Sequence, residues 1–286
     1  MSRPIRRSSV VLTVAAAVAL AAPRGASAQD LDVPYVPTPM EVVSTMLELA
    51  APTPDDSLYD LGSGDGRIVI MAAERYGTPG LGVELDSGRV ATARQSARES
   101  GVQDRVRFVR GDLFDVDVSG ASIVSLYLLP SVNRKLRPKL LRQLRPGSRV
   151  VSHDFDMGAW QADSSVQVPE ENGGRANVYF WRIPAHVAGT WVVTRPDGSE
   201  VTLEVDQKYQ ELRMSVESGS TDVGGADLNG ATIEFTLGTA RYTGGVTGDR
   251  IEGGTDSGGR WSARRISGGD QSIENWQRTS GYRRGG

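Results

Sequence analysis

The stretch LYDLGSGDGRIVI at residues 58–70 decides the fold. A short apolar segment runs into glycines at 62, 64 and 66, and the residues after them have the apolar spacing of a helix. Glycines let the backbone turn sharply and approach a ligand, and the free N–H groups of the following helix face that ligand. The stretch therefore predicts a strand, a ligand-binding loop and a helix, although such a loop alone is also compatible with a plain strand-to-helix turn.

The dinucleotide fingerprint G-x-G-x-x-G is incomplete, because Arg67 stands where its last glycine or alanine belongs. NAD is therefore disfavoured as the cofactor.

Short apolar runs alternate with helix-like segments through the rest of this half of the chain, which is typical of a βαβ domain with a parallel sheet. These strand-like runs lie at 57–61, 80–85, 106–109, 123–129, 149–152 and 178–183.

A change in composition near Pro184 predicts a second domain. Residues 185–286 hold 19 of the 34 glycines, and their apolar runs are short and separated by turn signals. The predicted strands lie at 190–193, 201–205, 212–216, 231–235 and 261–263. We expect residues 29–184 to form an α/β domain and residues 185–286 a glycine-rich all-β domain, an antiparallel meander or small barrel.

The first 28 residues predict an export signal. Basic residues precede a 13-residue apolar run, Val10 to Ala22, and Ala26-Ser27-Ala28 has the small-x-small pattern of a cleavage site. The run is shorter than the roughly 20 residues that span a bilayer as a helix. We expect a periplasmic or secreted mature chain that begins at Gln29, or a membrane-anchored one if the signal stays uncleaved.

Composition excludes several kinds of site. The chain has no cysteine, so thiol catalysis, disulfides and cysteine-based zinc sites are ruled out, and no ligand cluster predicts another metal. With 32 Lys+Arg against 35 Asp+Glu, the chain has no overall charge that attracts nucleic acid. One basic run, from Arg134 to Arg145, favours a solvated pair of helices interrupted at Pro138 over a nucleic-acid surface, since no aromatic residues are interleaved with it.

The glycine loop and two acids at matching positions resemble the class I S-adenosylmethionine (SAM) dependent methyltransferases. Glu84 ends the second predicted strand, and Asp112 follows the third. The resemblance implies a Rossmann-like, mixed but mainly parallel sheet, in which Asn177–Arg182 is an antiparallel strand. It also implies that Glu84 binds the ribose diol, that Asp112 binds the adenine amine and that Leu113 packs on the adenine ring. The expected cofactor-binding residues are Thr38, Asp60, Gly62, Ser63, Gly64, Asp65, Gly66, Glu84, Leu85, Asp112 and Leu113.

Three segments resemble a narrower group, the protein-lysine methyltransferases that include the ATP synthase c-subunit enzyme and its bacterial relatives. They are the proline-rich segment at 34–39, the glycine loop and Val151–Phe155. The resemblance implies that the proline-rich segment covers the cofactor near its methyl donor, with Tyr35, Pro37 and Thr38 at the site. The same segment is also compatible with an arm that only covers the sheet edge.

The resemblance implies methyl transfer to an amine, a lysine of a protein substrate. Tyr127 follows the fourth strand in a Tyr-Leu-Leu-Pro sequence, whereas enzymes that methylate bases and amides usually carry Asn/Asp-Pro-Pro-aromatic there. We expect Tyr127 to line the methyl-transfer pocket or to belong to the core. The alternative function is an exported module that binds SAM or a nucleoside without turnover.

His153 and Asp154 end the fifth strand, at the carboxyl edge where open α/β sheets bind ligands. Both a proton-accepting role and a structural role are compatible with this position.

Overall fold

The computed structural model describes residues 36–171, 173–217, 221–268 and 273–274. The predicted export signal at residues 1–28 and the predicted pocket residue Tyr35 lie outside these ranges. None of the helices in the described ranges is long and apolar enough to cross a membrane.

The first sheet has seven strands in the order β3-β2-β1-β4-β5-β7-β6. The first five are parallel, and β7 and β6 are antiparallel to their neighbours. The strands are β1 Leu58–Leu61, β2 Gly80–Glu84, β3 Val106–Arg110, β4 Ile123–Leu126, β5 Arg149–His153, β6 Ser164–Pro169 and β7 Arg175–Arg182. The prediction of a mixed, mainly parallel Rossmann-like sheet is confirmed.

Helices cover both faces of this sheet: α1 Met40–Ala50, α2 Arg67–Tyr76, α3 Ser87–Glu99 and α4 Pro130–Gln143. Helix α1 buries one apolar stripe, which includes Val43, Met46 and Leu47, in the core that it shares with α2 and α3. Helix α4 buries Leu136 and Leu140 in the core on the opposite face. The predicted break at Pro138 is wrong, because α4 continues through it, and the buried leucines on either side hold the helix in place.

The second sheet is an antiparallel meander of eight strands, in the order β10-β9-β8-β15-β14-β13-β12-β11. Its strands are β8 Gly189–Thr194, β9 Glu200–Lys208, β10 Glu211–Val216, β11 Val223–Asn229, β12 Thr232–Leu237, β13 Ala240–Thr247, β14 Arg250–Thr255 and β15 Arg260–Ser267. The outer strands β10 and β11 come close together, so the sheet nearly closes around its own apolar core. The predicted all-β C-terminal part is confirmed, whereas its division at Pro184 into a separate domain stays a prediction.

The turn between β9 and β10 packs against the first sheet. Tyr209 is buried in the core on the α4 side, where its ring stacks on that of Trp160 with centroids 6.0 Å apart. Gln210 accepts a hydrogen bond from Trp160 Nε1 at 2.9 Å. No helix lies between β5 and β6, so this turn covers part of the face that a crossover helix would cover.

The connection between the two sheets is tied to the second one. The side chain of Gln207 accepts from the N–H groups of Val187 and Ala188 and donates to the carbonyls of Ala185 and Tyr209. Arg265 donates to the carbonyls of His186 and Ala188. Because both side chains bind backbone atoms of the connection, its conformation is fixed.

Candidate active site

The glycine loop connects β1 to α2 at the carboxyl edge of the first sheet. Gly64 and Gly66 have φ of 51° and 84°, in the left-handed region that residues with a Cβ atom avoid. Gly66 is the residue just before α2, so the free N–H groups of the first helical turn lie beside the loop. The loop therefore has the backbone that a close-approaching ligand requires.

Glu84 fixes this loop from the end of β2. Its Oε2 accepts a hydrogen bond from Gly64 N at 3.0 Å, and its Oε1 accepts one from Asp86 N at 2.9 Å. Arg89 lies 3.7 Å from the same carboxylate. Each carboxylate oxygen has further lone pairs, so the group can both hold the loop and accept hydrogen bonds from a ribose diol.

Asp60 lies at the end of β1, beneath the loop, and is almost fully buried. Its Oδ1 accepts a hydrogen bond from Ser125 Oγ of β4 at 2.8 Å. Burial raises the pKa of the Asp60 carboxyl to about 7; the Ser125 hydrogen bond opposes this rise, and the charges of Asp65 and Glu84 add to it. A cationic ligand near the loop would favour the ionised form of this carboxyl.

Four more predicted cofactor residues lie around the loop and the ends of β2 and β3. Ser63 is buried, and its hydroxyl has no hydrogen-bond partner in the described part of the chain. Leu85, which follows β2, is 63% exposed. Asp112 follows β3 and accepts a hydrogen bond from Phe114 N at 2.8 Å, while Leu113 is half-buried beside it. An exposed leucine and an unpaired buried hydroxyl next to a glycine loop are features that a bound nucleoside would satisfy.

The segment before α1 is tied to the glycine loop. Arg67 donates from its Nη1 to the carbonyl of Thr38 at 2.7 Å, and its Nη2 pairs with Asp65 at 2.6 Å. Thr38 is buried, and its hydroxyl lies 3.2 Å from Nδ1 of His153. The structure therefore brings the proline-rich segment, the loop and the end of β5 together.

An aromatic stack stands at the ends of β4 and β5. The ring of Tyr127 stacks on that of His153 with centroids 3.8 Å apart, and the ring of Phe155 lies 6.2 Å from Tyr127 on a nearly parallel plane. Burial raises the pKa of Tyr127, and the charges of Asp154 and Glu170 raise it further. Oδ2 of Asp154 lies 3.5 Å from Nε2 of the stacked His153, and the charge of Glu170 also acts on the stack.

The predicted site residues in the described ranges all lie at one edge of the sheet, at or next to the ends of β1 to β4 and in the segment before α1. Their individual roles stay predictions. Sequence reasoning missed Ser125 and Glu170, which belong to no recognisable motif, and it gave no role to Phe155, which ends the segment Val151–Phe155 that resembles the lysine methyltransferases. It noted Arg67 only as a departure from the dinucleotide pattern. The structure shows that Arg67 binds the carbonyl of Thr38, in the proline-rich segment before α1.

The residues present fit SAM on structural grounds: a buried unpaired hydroxyl, a left-handed glycine loop and carboxylates that can accept hydrogen bonds from ribose and attract a sulfonium. Among the described residues no group of His, Asp or Glu is arranged to hold a metal ion.

Comparisons with known proteins agree with this site. The family described as ANTKMT methyltransferase domain matches residues 60–164. A protein-lysine N-methyltransferase of Saccharolobus islandicus is 43% identical over 155 residues, which are 54% of this chain and 96% of the relative. The adenine nucleotide translocase lysine N-methyltransferase of Mus musculus is 36% identical over 162 residues, 57% of this chain and 67% of the relative.

One solved structure is similar in both fold and sequence. It is described as an RNA methyltransferase from Salinibacter ruber in complex with S-adenosyl-L-homocysteine, and it is 56% identical with a TM-score of 0.50. The similarity covers 53% of this chain and 96% of that one. That structure binds the demethylated product of SAM, which identifies SAM as the cofactor of this site. On the glycine loop, the acids around it and the extent of the similarity to the archaeal and mouse enzymes, the chain belongs to the SAM-dependent protein-lysine N-methyltransferase family.

Proposed function

We propose that this enzyme transfers the methyl group of SAM to the side-chain amine of a lysine in a protein substrate. The observation that carries the proposal is the aromatic stack of Tyr127, His153 and Phe155 beside Asp154 and Glu170. Flat aromatic surfaces suit the alkyl chain of a lysine, and the two carboxylates attract its ammonium group. The activities named for the archaeal and mouse relatives support the same acceptor.

Methyl transfer from a sulfonium is an in-line displacement, so the protein mainly aligns the amine and excludes water. When bound, SAM supplies the methyl group and a neutral thioether leaving group. Glu84 holds the glycine loop, and Arg67 fixes the proline-rich segment through the carbonyl of Thr38. The aromatic stack at the ends of β4 and β5 then lies where the acceptor lysine binds.

The name of the Salinibacter relative makes RNA the second acceptor to test. The cations of α4 give little support to an RNA surface. Arg137 pairs with Glu274 at 3.0 Å, Lys139 donates to the carbonyl of Phe114, and Lys135 lies over the Phe114 ring. These contacts occupy part of the basic run, whereas Arg134 and Arg142 of the same helix are exposed, so the run offers RNA only limited phosphate contacts.

The test is a methyl-transfer assay with tritium-labelled SAM on protein and RNA fractions of cytoplasmic and envelope extracts. We expect label in protein, resistant to ribonuclease, and methyl-lysine in the acid hydrolysate. Gly64→Val is the inactive control, because a branched side chain at φ 51° blocks the loop. Label in RNA would contradict the lysine proposal. SAM binding without any transfer would favour the binding module instead.

We also propose that the chain is exported through its N-terminal 28 residues. The basic start, the 13-residue apolar run and the Ala-Ser-Ala site support this destination. N-terminal sequencing of the protein from fractionated native cells tests it. A chain that begins at Gln29 in the periplasm or medium is expected, and a cytoplasmic chain that keeps Met1 would overturn the proposal.

A further inference from the structure

Three polar side chains form a line at the end of β5. The hydroxyl of Thr38 lies 3.2 Å from His153 Nδ1, and His153 Nε2 lies 3.5 Å from Oδ2 of Asp154. The imidazole is 2% exposed, and Nε2 has no hydrogen bond within the described part of the chain. A buried polar atom without a hydrogen bond, such as Nε2 of His153, is rare and destabilises the folded state, so it indicates a functional role.

The backbone holds Asp154 in place. It has φ 60°, an uncommon conformation for a residue with a Cβ atom. Its N–H donates to the carbonyl of Asn177 at 2.7 Å, and its Oδ1 accepts from the N–H of Asn177 at 2.8 Å. These two bonds to β7 leave Oδ2 on the side of His153.

The surroundings of His153 determine which ring nitrogen carries the proton. Burial lowers the pKa of His153, and Asp154 acts in the opposite direction, so the ring is neutral at neutral pH. A neutral imidazole has one N–H, and the facing carboxylate favours it on Nε2. Nδ1 then accepts a hydrogen bond from the Thr38 hydroxyl. The other charged or titratable groups nearby are Tyr127, which stacks on the ring, Glu170 beside Tyr127, and Arg67 on the carbonyl of Thr38.

We propose that Thr38, His153 and Asp154 form a relay that removes a proton from the acceptor ammonium. The lysine ammonium gives a proton to Thr38 Oγ1 as the Thr38 hydroxyl proton moves to His153 Nδ1. The resulting imidazolium is stabilised by Asp154 and by the face of Tyr127. The free amine then attacks the methyl carbon, the bond from that carbon to sulfur breaks, and the sulfur leaves as a neutral thioether. The imidazolium returns its proton to water after product release.

This inference rests on the proposed amine acceptor, and it explains why the amine requires help. A lysine side chain has a pKa near 10.4, so about one in 10³ is neutral at pH 7. The carboxylates that attract the ammonium also stabilise its charged form, so the proton needs another acceptor. The relay requires the bound lysine to reach the hydroxyl of Thr38, which is a buried residue, while His153 and Asp154 act through Thr38 as positioning residues.

The decisive variant is Thr38→Val, which keeps the shape and removes the hydroxyl. We expect a loss of roughly 10²-fold or more in kcat at pH 7, in the range for general acid–base catalysis, with a smaller loss at high pH, where the amine is already neutral. Thr38→Ser should restore most of the rate. Thr45→Val, which removes the hydroxyl that binds the carbonyl of Glu41 within α1, is the matched control and should be near wild type.

SAM affinity, measured by titration calorimetry, separates the relay from simple cofactor binding. An unchanged SAM Kd together with the lost rate supports the relay. A Thr38→Val variant within about threefold of the wild-type rate, or one whose rate falls only in proportion to its SAM affinity, overturns it.

A second readout needs no acceptor. The chain has only two histidines, so ¹⁵N-detected NMR of the holoenzyme resolves His153 from His186. We expect the Nε2–H form in the wild type and a lower pKa for His153 in Asp154→Asn, a substitution that tolerates the left-handed backbone. An Nδ1–H form overturns the relay. If His153 has its proton on Nε2 but the enzyme methylates no lysine, the proposed function is contradicted and the hydrogen-bond geometry of the relay is not.

Discussion

Asp60 combines two opposing requirements at one residue. Its predicted role in binding a cationic cofactor requires an ionised carboxyl, yet burial raises the pKa of this group to about 7. In the unfolded chain the same group ionises near pH 3.9. Between about pH 4 and pH 7 the folded state therefore binds more protons than the unfolded state, and the free energy of unfolding falls as the pH rises.

We therefore expect Asp60→Asn to gain stability relative to wild type as the pH rises from 4 to 7, by roughly 4 kcal/mol over this window. The asparagine keeps an oxygen for the Ser125 hydrogen bond but has no proton to lose. Urea unfolding at pH 4.5 and pH 7.5 measures the difference. The exposed Asp55→Asn is the control, and a gain for Asp60→Asn that is equal at both pH values would contradict the argument.

At Glu84, one carboxylate holds the loop and faces the predicted ribose position. We expect Glu84→Ala to weaken SAM binding by about 1.5–3 kcal/mol, the range for hydrogen bonds to a charged group. Titration calorimetry measures this loss, and the exposed Glu99→Ala serves as control. Unchanged affinity in a folded variant would remove Glu84 from the cofactor site.

Individual residues show how far the sequence predicts this site. Glu84 and Asp112 could be placed because they follow strands in a known order along the chain. Ser125 and Glu170 could not, because Ser125 acts through a hydrogen bond from β4 to Asp60 of β1, and Glu170 acts through its charge on Tyr127, 43 positions earlier in the chain. His153 was placed at the correct edge, but its contact with Thr38 spans 115 residues of sequence and becomes visible only when the sheet is assembled.

At the scale of elements, β2 and the glycine loop are joined by close packing. A Cβ atom at Gly82 would lie 2.4 Å from Phe108 Cδ1 and 2.6 Å from Ser63 Oγ, and one at Gly66 would lie 2.5 Å from the same phenyl ring. The ring of Phe108 therefore fills the space that two glycines leave open, and it sets the distance between β2, β3 and the loop.

We expect Gly82→Ala to destabilise the protein by about 1–3 kcal/mol through overpacking. A second change, Phe108→Leu, should recover part of this loss by making room, so the two effects should not add. Urea unfolding of the single and double variants measures the coupling. Strictly additive effects would mean that Gly82 and Phe108 do not compete for the same space.

The strands that the sequence did not predict were missed for one of two physical reasons. Strands β11, β13 and β14 each contain a pair of adjacent glycines, which lowers strand propensity, and their stability comes from paired neighbours in the sheet. Strand β6 is an edge strand with mostly exposed residues, so its sequence has no apolar signal. The central strands of the first sheet, such as β1 and β4, were predictable because they are buried on both faces.

At the scale of the whole molecule, Tyr209 joins the two cores. Its ring lies against Trp160 and under the guanidinium of Arg137, and the described part of the chain leaves it 1% exposed. A residue of the second sheet thus completes a core of the first. Loosening the second sheet therefore exposes apolar surface of the first.

We expect the full chain to unfold in one calorimetric transition and Tyr209→Ala to lose about 3–5 kcal/mol, with the transition separating into two. Tyr242→Ala, buried only in the core of the second sheet, is the matched control and should lower stability without this separation. Two resolved transitions in the wild type would contradict the coupling.

The hydrogen bonds from Gln207 and Arg265 to the connecting segment should fix the distance between the two sheets. Since the bonds fix the connecting segment, the distance between the residue that follows α3 and a residue of β13 should have a single value. The chain lacks cysteine, so spin labels can be attached at Ser100→Cys and Thr247→Cys without removing any native thiol. Pulsed dipolar spectroscopy should then return one narrow distance distribution, with and without SAM, and Gln207→Ala should broaden it. A broad distribution in the intact enzyme would show that the segment behaves as a joint.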